Sequence, residues 1–225
     1  MSAPPRDERP TVVPRLYHLV RSLLAVVNRT YWRATFEGCE HIPATGAYVL
    51  APVHRSNIDF ALVSSVTRRR QRYMGKQELW TFAPLGWFIS ALGAYPVRRG
   101  AADREALADT LAMLRAGEPV VLFPEGTRRT GPEVVDLFEG ASYVAARAGV
   151  PIIPVGIGGS ERALGRGAKL PRPAKVHIVV GPPLLPPPPK ESGRVSRRAV
   201  QTLTDQLRAE LQRLFDQARA RAEKT

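Results

Sequence analysis

A histidine and an aspartate separated by four residues, His54 and Asp59, are the side chains whose types and spacing best suit acid–base chemistry. A carboxylate that holds one imidazole nitrogen fixes the tautomer of the ring and stabilises its protonated form. The other nitrogen is then able to take a proton from an incoming hydroxyl group. The pair therefore predicts a general base, His54, that is oriented by Asp59.

The segments around this pair predict how it is positioned. Residues 47–53 form a short apolar run, typical of a buried strand that ends at His54. A serine and an asparagine follow, both favourable helix N-caps, so Asp59 falls in the first turn of a helix expected over residues 59–66. The alternative is that Asp59 only caps this helix and that His54 is an ordinary half-buried residue.

A second predicted strand, at 119–122, leads into the sequence Phe-Pro-Glu-Gly-Thr-Arg at 123–128. Gly126 allows close approach of the backbone, Thr127 offers a hydroxyl group, and Arg128 offers a planar, permanently charged guanidinium. These groups predict a phosphate site. Because parallel strands deliver their carboxyl ends to one edge of a sheet, ligands bind there.

Together the two motifs resemble the glycerolipid acyltransferase family, which includes 1-acylglycerol-3-phosphate acyltransferase, over roughly residues 30–180. The resemblance implies transfer of a fatty acyl group from acyl-CoA or an acyl carrier protein to the free hydroxyl of a lysophospholipid. The expected acceptor is 1-acylglycerol-3-phosphate and the expected product phosphatidic acid. The hydroxyl attacks the thioester directly in this scheme, so no covalent acyl-enzyme, cofactor or metal ion is expected.

The resemblance also implies roles for further residues. Lys76, in Lys-Gln-Glu-Leu at 76–79, is expected to face the active site, and Arg99 is expected to help Thr127 and Arg128 hold the acceptor phosphate. Glu125 is expected to fix these arginines or a glycerol hydroxyl. The family's pattern is not followed at three positions, which are Arg98, Arg129 and Glu139.

Composition narrows the class of protein. The 225 residues suffice for one α/β domain, and 33 basic against 20 acidic residues give a net charge of +13, which predicts an anionic partner. No zinc-finger spacing or RNA-binding aromatic motif is present, so we expect an anionic membrane surface rather than nucleic acid. The single cysteine, Cys39, excludes an intrachain disulfide, and the four histidines lack metal-ligand spacing.

The predicted fold is α/β, with a mostly parallel central sheet flanked by helices, as in glycerol-3-phosphate acyltransferase, and an N-terminal amphipathic helix. We expect a flexible arm at 1–13, a membrane-associated amphipathic helix at 14–32, the acyltransferase domain at 33–181, a proline-rich linker at 182–195 and a C-terminal amphipathic helix at 196–225. The prolines at 151 and 154 predict an edge or irregular strand over 150–155.

Three segments bear on membrane association. The helix at 14–32 carries an apolar stripe with interspersed arginines, and either packs on the domain or lies in the membrane interface. The arginine-rich cluster at 68–72 is either a solvated face or a contact for lipid headgroups. The uncharged segment 80–97 contains prolines and glycines, which predicts a short apolar helix, a turn and a strand rather than a membrane span. Its aromatic residues are core, the lining of an acyl-chain tunnel or an interfacial wedge.

These features predict a peripheral membrane enzyme on the cytoplasmic face of a membrane. One alternative is an acyltransferase for another acceptor, such as glycerol-3-phosphate, a lysophospholipid with a larger headgroup or a glycolipid. The other is a non-catalytic membrane-binding module, which would bind lipid without turnover.

Overall fold

A computed structural model of the protein describes residues 12–97, 104–187 and 195–223. Its strands are β1 (Thr35–Glu37), β2 (Val49–Pro52), β3 (Arg72–Lys76), β4 (Ala94–Val97), β5 (Val120–Val121), β6 (Ile152–Gly158) and β7 (His177–Val180). Its helices are α1 (Pro14–Thr30), α2 (Asp59–Val63), α3 (Ala83–Ala91), α4 (Arg104–Arg115), α5 (Gly140–Ala148), α6 (Ser160–Leu164) and α7 (Arg197–Glu223).

The strands form one sheet in the order β1-β7-β6-β2-β5-β3-β4. Every neighbouring pair runs parallel except β6 and β7, which are antiparallel. The strands from β6 to β4 in this order therefore end at the same side of the sheet, which we call the carboxyl edge. This arrangement confirms the predicted α/β class with a mostly parallel sheet.

Helices cover both faces of the sheet. The connections through α2 and α3 step across the sheet in one direction, and those through α4 and α5 step back. Because parallel crossovers are right-handed, α2 and α3 lie on one face and α4 and α5 on the other. Helix α1 packs on α2, and α7 packs on β6, β7 and α5. Methyl groups at Gly156 and Gly158 would lie 2.3 and 2.4 Å from the α7 backbone, so these glycines allow α7 to lie directly on β6.

The prediction of an edge or irregular strand over 150–155 is wrong. Strand β6 lies between β2 and β7, and all its residues are buried. Its Pro154 carbonyl accepts a hydrogen bond from the N–H of Gly181, which lies just beyond the end of β7 (2.9 Å). The β6–β7 ladder begins only at Val155, so the missing N–H of Pro154 removes no bond from it.

Helix α1 contacts the domain through polar side chains. The Tyr17 hydroxyl accepts a hydrogen bond from the Gln71 N–H (3.1 Å), and Arg21 Nε donates to the Thr67 carbonyl (2.8 Å). The fully buried Asn28 donates to the Ala61 carbonyl (2.8 Å). Half of the predicted apolar stripe therefore faces away from the domain: Leu19, Leu23 and Val27 are exposed, with Val26 beside them, whereas Leu16, Val20 and Leu24 are partly buried.

Helix α7, at the other end of the described chain, buries its apolar stripe against the domain. Val200, Leu203, Leu207, Leu211, Leu214 and Phe215, which form the apolar stripe of α7, are all buried. Helix α7 is therefore part of the domain. The predicted linker at 182–195 also begins in the sheet, because Leu184 exchanges two backbone hydrogen bonds with Ile152. Residues 1–11 of the predicted arm and 188–194 of the linker lie outside the described ranges.

The segment 80–97 has the predicted helix, turn and strand. Trp80 and Tyr95 are buried, and the Trp80 indole donates to the Ser90 hydroxyl (2.8 Å). Phe82, Trp87 and Phe88 are exposed on α3 and beside it, by 65%, 55% and 38%. Two of the aromatic residues are thus core, and three present an apolar surface. Over the described residues, no helix has the length and apolar character needed to span a membrane.

The arginine-rich cluster at 68–72 is mostly engaged within the domain. Arg69 donates to the carbonyls of Pro43 (3.0 Å) and Gly46 (2.6 Å). Arg70 and Arg72 both pair with Glu118. Because β3 begins at Arg72, the cluster also lies at the side of the sheet opposite the carboxyl edge. The expectation that this cluster contacts lipid headgroups is therefore not supported.

Candidate active site

His54 and Asp59 are brought together at the carboxyl edge, directly after β2. The Nδ1 atom of His54 lies 2.9 Å from Oδ2 of Asp59, whose side chain is fully buried. The same oxygen accepts hydrogen bonds from the N–H groups of Arg55 and Ser56, both at 2.7 Å. One carboxylate therefore fixes both the backbone of the turn and the orientation of the imidazole, and it leaves Nε2 as the nitrogen that can meet a substrate.

The local structure of this turn differs from the predicted one in two respects. Helix α2 ends at Val63, earlier than expected, and the residue before its first turn, Ile58, makes no side-chain cap. Ser56 does not serve as that cap; its hydroxyl donates to the Leu164 carbonyl at 2.6 Å. The hydroxyl nearest to the catalytic pair in sequence is thus tied to α6 and is not positioned as a nucleophile.

The ring of His54 is also held from the side. The centroid of the Phe123 ring lies 4.2 Å from that of His54, with an angle of 32° between the ring planes. Phe123 is the first residue of the second motif and lies two residues after the end of β5. The two motifs therefore meet at the imidazole itself.

Arg55 and Glu125 form a buried ion pair that sequence reasoning missed. The Arg55 guanidinium approaches both carboxylate oxygens of Glu125, at 2.7 and 2.6 Å, and the two side chains are 2% and 0% exposed. Glu125 also accepts a hydrogen bond from the N–H of His54 at 2.8 Å. The structure does not support the expectation that Glu125 binds a glycerol hydroxyl or the phosphate-binding arginines, because its buried carboxylate is occupied by Arg55 and His54.

The same arginine reaches three further parts of the chain. It donates to the carbonyls of His54 (3.1 Å) and Glu133 (3.0 Å), and its guanidinium carbon lies 4.6 Å from the centroid of the Phe215 ring in α7. An arginine within a turn is usually exposed, so its sequence position gave no sign of this burial. The only signal in the sequence was an arginine directly after His54 in the first motif and a glutamate in the second motif.

The loop at 125–129 curves around the catalytic turn. The N–H of Arg129 donates to the His54 carbonyl at 2.9 Å, which places the preceding Thr127 and Arg128 beside the catalytic pair. Thr127 is exposed and Arg128 is half-buried, so both are accessible to a ligand. This position agrees with the predicted phosphate site, although its role in binding stays a prediction.

A glycine is required at position 126 for a different reason from the one expected. Its φ of +65° is in the left-handed region, and a methyl group there would lie 2.5 Å from the ring of Phe138. The side chain that approaches the backbone closely is therefore this phenylalanine. Phe138 is itself 65% exposed and its N–H donates to the Pro124 carbonyl (2.9 Å), so it forms an aromatic wall beside the loop.

The two remaining predicted residues are less well defined. Lys76 ends β3 at the carboxyl edge, and its ammonium group lies 3.0 Å from the carboxylate of Glu78. Both side chains are largely exposed, so this pair is weak and does not prevent Lys76 from meeting an anion. Arg99 lies outside the described residues, two positions beyond the end of β4. Among the side chains that the structure describes, no group of His, Cys, Asp and Glu is arranged to hold a metal ion.

Comparison with known proteins agrees with this geometry. A family model described as Acyltransferase matches residues 33–158, which include both motifs. The chain is 30% identical over 146 residues to the 1-acyl-sn-glycerol-3-phosphate acyltransferase of Bacillus subtilis, covering 64% of this chain and 70% of that relative. It is 23% identical over 175 residues to the chloroplastic enzyme of the same name from Arabidopsis thaliana, and spans 49% of its length.

A solved structure gives the same result for the fold. The crystal structure of the 1-acyl-sn-glycerophosphate acyltransferase from Thermotoga maritima matches with a TM-score of 0.74 at 21% sequence identity, over 94% of this chain and 84% of that one. The chain spans about half the length of the plant relatives, with 46% of the Brassica napus protein covered. Since the family model covers more than half of the sequence, including the His54–Asp59 turn, the chain belongs to the acyltransferase family.

Proposed function

We propose that this protein transfers a fatty acyl group from an acyl thioester to the free hydroxyl of 1-acyl-sn-glycerol-3-phosphate, which yields phosphatidic acid. The observation that carries this proposal is the 2.9 Å contact between His54 Nδ1 and a fully buried Asp59 at the carboxyl edge. A module that only binds lipid has no need for an oriented base. The names of the relatives supply the acceptor and the reaction class.

The proposed reaction needs one base and no covalent intermediate on the protein. Nε2 of His54 takes the proton from the acceptor hydroxyl while its oxygen forms a bond to the thioester carbonyl carbon. Asp59 stabilises the imidazolium that results. The tetrahedral intermediate then expels the thiolate, which receives the proton from His54, so that the ester and the free thiol leave together. Lys76 is proposed to stabilise the oxyanion, since the N–H groups of His54, Arg55 and Ser56 are already donated to Glu125 and Asp59.

The acceptor phosphate is proposed to bind at the loop that surrounds the catalytic turn. Thr127 is exposed and Arg128 is half-buried, and both lie between Glu125 and Arg129, whose backbone and side-chain contacts fix them to His54. Guanidinium groups bind phosphate oxygens through paired, charge-assisted hydrogen bonds. The family resemblance adds Arg99, which follows β4 by two residues in the sequence, to this proposed phosphate site.

We also propose that the protein binds the cytoplasmic face of a membrane peripherally, and that acyl-CoA or an acyl carrier protein is the donor. Helix α1 is held by hydrogen bonds from its polar side, and its exposed leucines and valines face outward. Such an apolar face suits insertion into the interfacial region of a bilayer. Replacing Leu19 and Leu23 with serine should reduce binding to vesicles, as measured by flotation, without reducing the thermal stability of the domain.

The reaction is tested by supplying the purified protein with mixed acyl-CoAs, or acyl carrier protein, and a panel of lysophospholipids, glycerol-3-phosphate and glycolipids. Mass spectrometry then identifies the product. His54→Ala is the test variant. His18→Ala is its matched control, since His18 is an exposed histidine on α1. We expect phosphatidic acid from the wild type and the His18 variant and little from the His54 variant. A different acylated product would show that the acceptor is not 1-acyl-sn-glycerol-3-phosphate. Lipid binding without any acylated product would contradict the proposed activity.

A further inference from the structure

A basic loop lies beside the catalytic turn and has no role in the proposed reaction. Residues 162–174 contain four basic residues and no acidic one. Arg166, Lys169 and Arg172 are exposed, and Leu170 between them is 76% exposed, more than any other large apolar side chain that the structure describes. We call residues 165–173 the basic loop. Charge and an apolar tip thus occur together at the carboxyl edge.

This loop is fastened at three points. The N–H of Arg172 donates to the Ala163 carbonyl (2.8 Å), which closes the base of the loop. The Ser56 hydroxyl donates to the Leu164 carbonyl (2.6 Å), and the Tyr31 hydroxyl donates to the Pro171 carbonyl (3.1 Å). Ser56 belongs to the catalytic turn, and Tyr31 is the residue that follows α1. The loop is therefore a fixed projection between the candidate active site and the exposed apolar helix.

We propose that the basic loop is a second membrane contact, in which Leu170 enters the interfacial region and Arg166, Lys169 and Arg172 meet anionic headgroups. This inference rests on the membrane association proposed above. An acidic carrier protein would also meet the charges, but a leucine flanked by cations at the tip of a loop fits a surface that is anionic outside and apolar beneath. The loop is also tied to Tyr31, next to the outward apolar face of α1.

Two separate contacts have a consequence that one helix cannot supply. A single helix that is inserted through one apolar face still leaves the domain able to rock about the helix axis. A second contact at the carboxyl edge removes that freedom and turns the His54 side of the sheet toward the lipid surface, where an amphiphilic acceptor resides. Loss of the loop contact should therefore reduce turnover on bilayer-embedded acceptor while it leaves turnover on detergent-dispersed acceptor unchanged.

The first test places an environment-sensitive fluorophore on Leu170→Cys in a Cys39→Ser background, since Cys39 is the only natural cysteine. The matched control is Leu185→Cys, which is 75% exposed and follows the residue paired with Ile152, at the opposite side of the sheet. With vesicles of phosphatidylcholine and phosphatidylglycerol, emission should rise and shift to the blue for the label at 170 only. No change at 170, or an equal change at both positions, would overturn the proposal.

The second test matches two pairs of charges. Arg166→Gln/Lys169→Gln should weaken binding to the same vesicles by about twentyfold to thirtyfold, because each basic residue near an anionic surface contributes on the order of a factor of five. Arg197→Gln/Arg198→Gln, which removes two exposed arginines from α7, should change it by less than about threefold. If both double variants lost binding to the vesicles equally, net charge alone would explain the effect and the proposal would be contradicted.

A third measurement distinguishes binding of the acyl donor by the loop from binding of the bilayer. If the label at 170 responds to acyl-CoA or acyl carrier protein without vesicles, the loop binds the donor and the membrane proposal is wrong. If the label responds to vesicles while the wild-type protein makes no acylated product, the membrane contact stands and the proposed enzymatic function fails. The two proposals are thus rejected by different results.

Discussion

Replacing Glu125 with alanine is expected to destabilise the domain and to impair His54 at the same time. The substitution leaves the Arg55 guanidinium, which is 2% exposed, without its partner. Breaking a buried ion pair from one side costs about 3–5 kcal/mol. The His54 N–H also loses its acceptor at 2.8 Å, so the expected loss of unfolding free energy lies toward the upper end of that range.

A double variant separates stability from positioning. Arg55→Met/Glu125→Leu removes both charges and fills their space with apolar groups, which is often neutral or stabilising for a buried pair. We therefore expect it to recover most of the unfolding free energy. Turnover should stay low, because the backbone of His54 has still lost the carboxylate that holds it and the arginine that joins it to Glu133.

Urea unfolding followed by circular dichroism measures the stability, and initial rates on detergent-dispersed acceptor measure turnover. Glu210→Ala is the matched control, since Glu210 pairs with the exposed Arg213 on the surface of α7 and should cost less than about 1 kcal/mol. The reasoning is refuted if Glu125→Ala is as stable as Glu210→Ala. It is also refuted if the double variant regains wild-type turnover.

Three further predictions follow from the site and the sheet. His54→Ala should lower kcat by about 10²–10⁴-fold with an unchanged circular dichroism spectrum, and Asp59→Asn should also be severely impaired, because each removes part of the acid–base pair. Arg128→Ala should raise KM for the phosphorylated acceptor about tenfold or more, with little change in KM for the donor, because a charge-assisted hydrogen bond contributes roughly 1.5–3 kcal/mol. Partial burial raises the pKa of Glu118, but hydrogen bonds and charges from Arg72 and Arg70 outweigh it and hold this pKa below its ordinary value of 4.5. Glu118 therefore stabilises the fold above that value and loses this contribution as the pH falls through its folded pKa, so Glu118→Gln should be less stable at pH 7 and flatten the acid side of stability measured against pH.

Each of these predictions has its own contradicting result. Near-wild-type turnover in folded His54→Ala would exclude it as the base, and full activity of Asp59→Asn would reduce that residue to a structural acceptor. Equal changes in both KM values for Arg128→Ala would place the phosphate elsewhere. An unaltered dependence of unfolding free energy on pH in Glu118→Gln would show that this carboxyl group has the same pKa in the folded and unfolded chain.

The catalytic pair was predictable because its geometry is local. Four residues separate His54 from Asp59, and an apolar run before a polar turn suffices to place both at the end of a strand. The alternation of strands and helices likewise predicts a parallel sheet. The position of β6 was not predictable in this way, since whether Pro154 disrupts a ladder depends on where β7 ends.

Burial of charge was the main property that the sequence did not reveal. Arg55 and Glu125 stand 70 residues apart, and only the pairing of β2 and β5 in one sheet brings the turns that carry them together. For α1 the periodicity predicted a helix with an apolar stripe but not which side of the helix meets the domain. That choice depends on hydrogen bonds to Gln71, Thr67 and Ala61, which are made by residues from distant parts of the chain.

The contact between Arg55 and Phe215 has a consequence for how an active molecule arises during synthesis. The aromatic ring that lies over the guanidinium is encoded 160 residues after it. At about 5–20 residues per second, the ribosome adds the ring roughly 8–32 seconds after it has made the catalytic turn. During the last 87 residues of this interval (215 − 128) the nascent chain contains every residue of both motifs, yet the ring of α7 that packs against Arg55 has not been made. We therefore expect the catalytic turn to reach its final geometry only after α7 has left the ribosome and closed over β6.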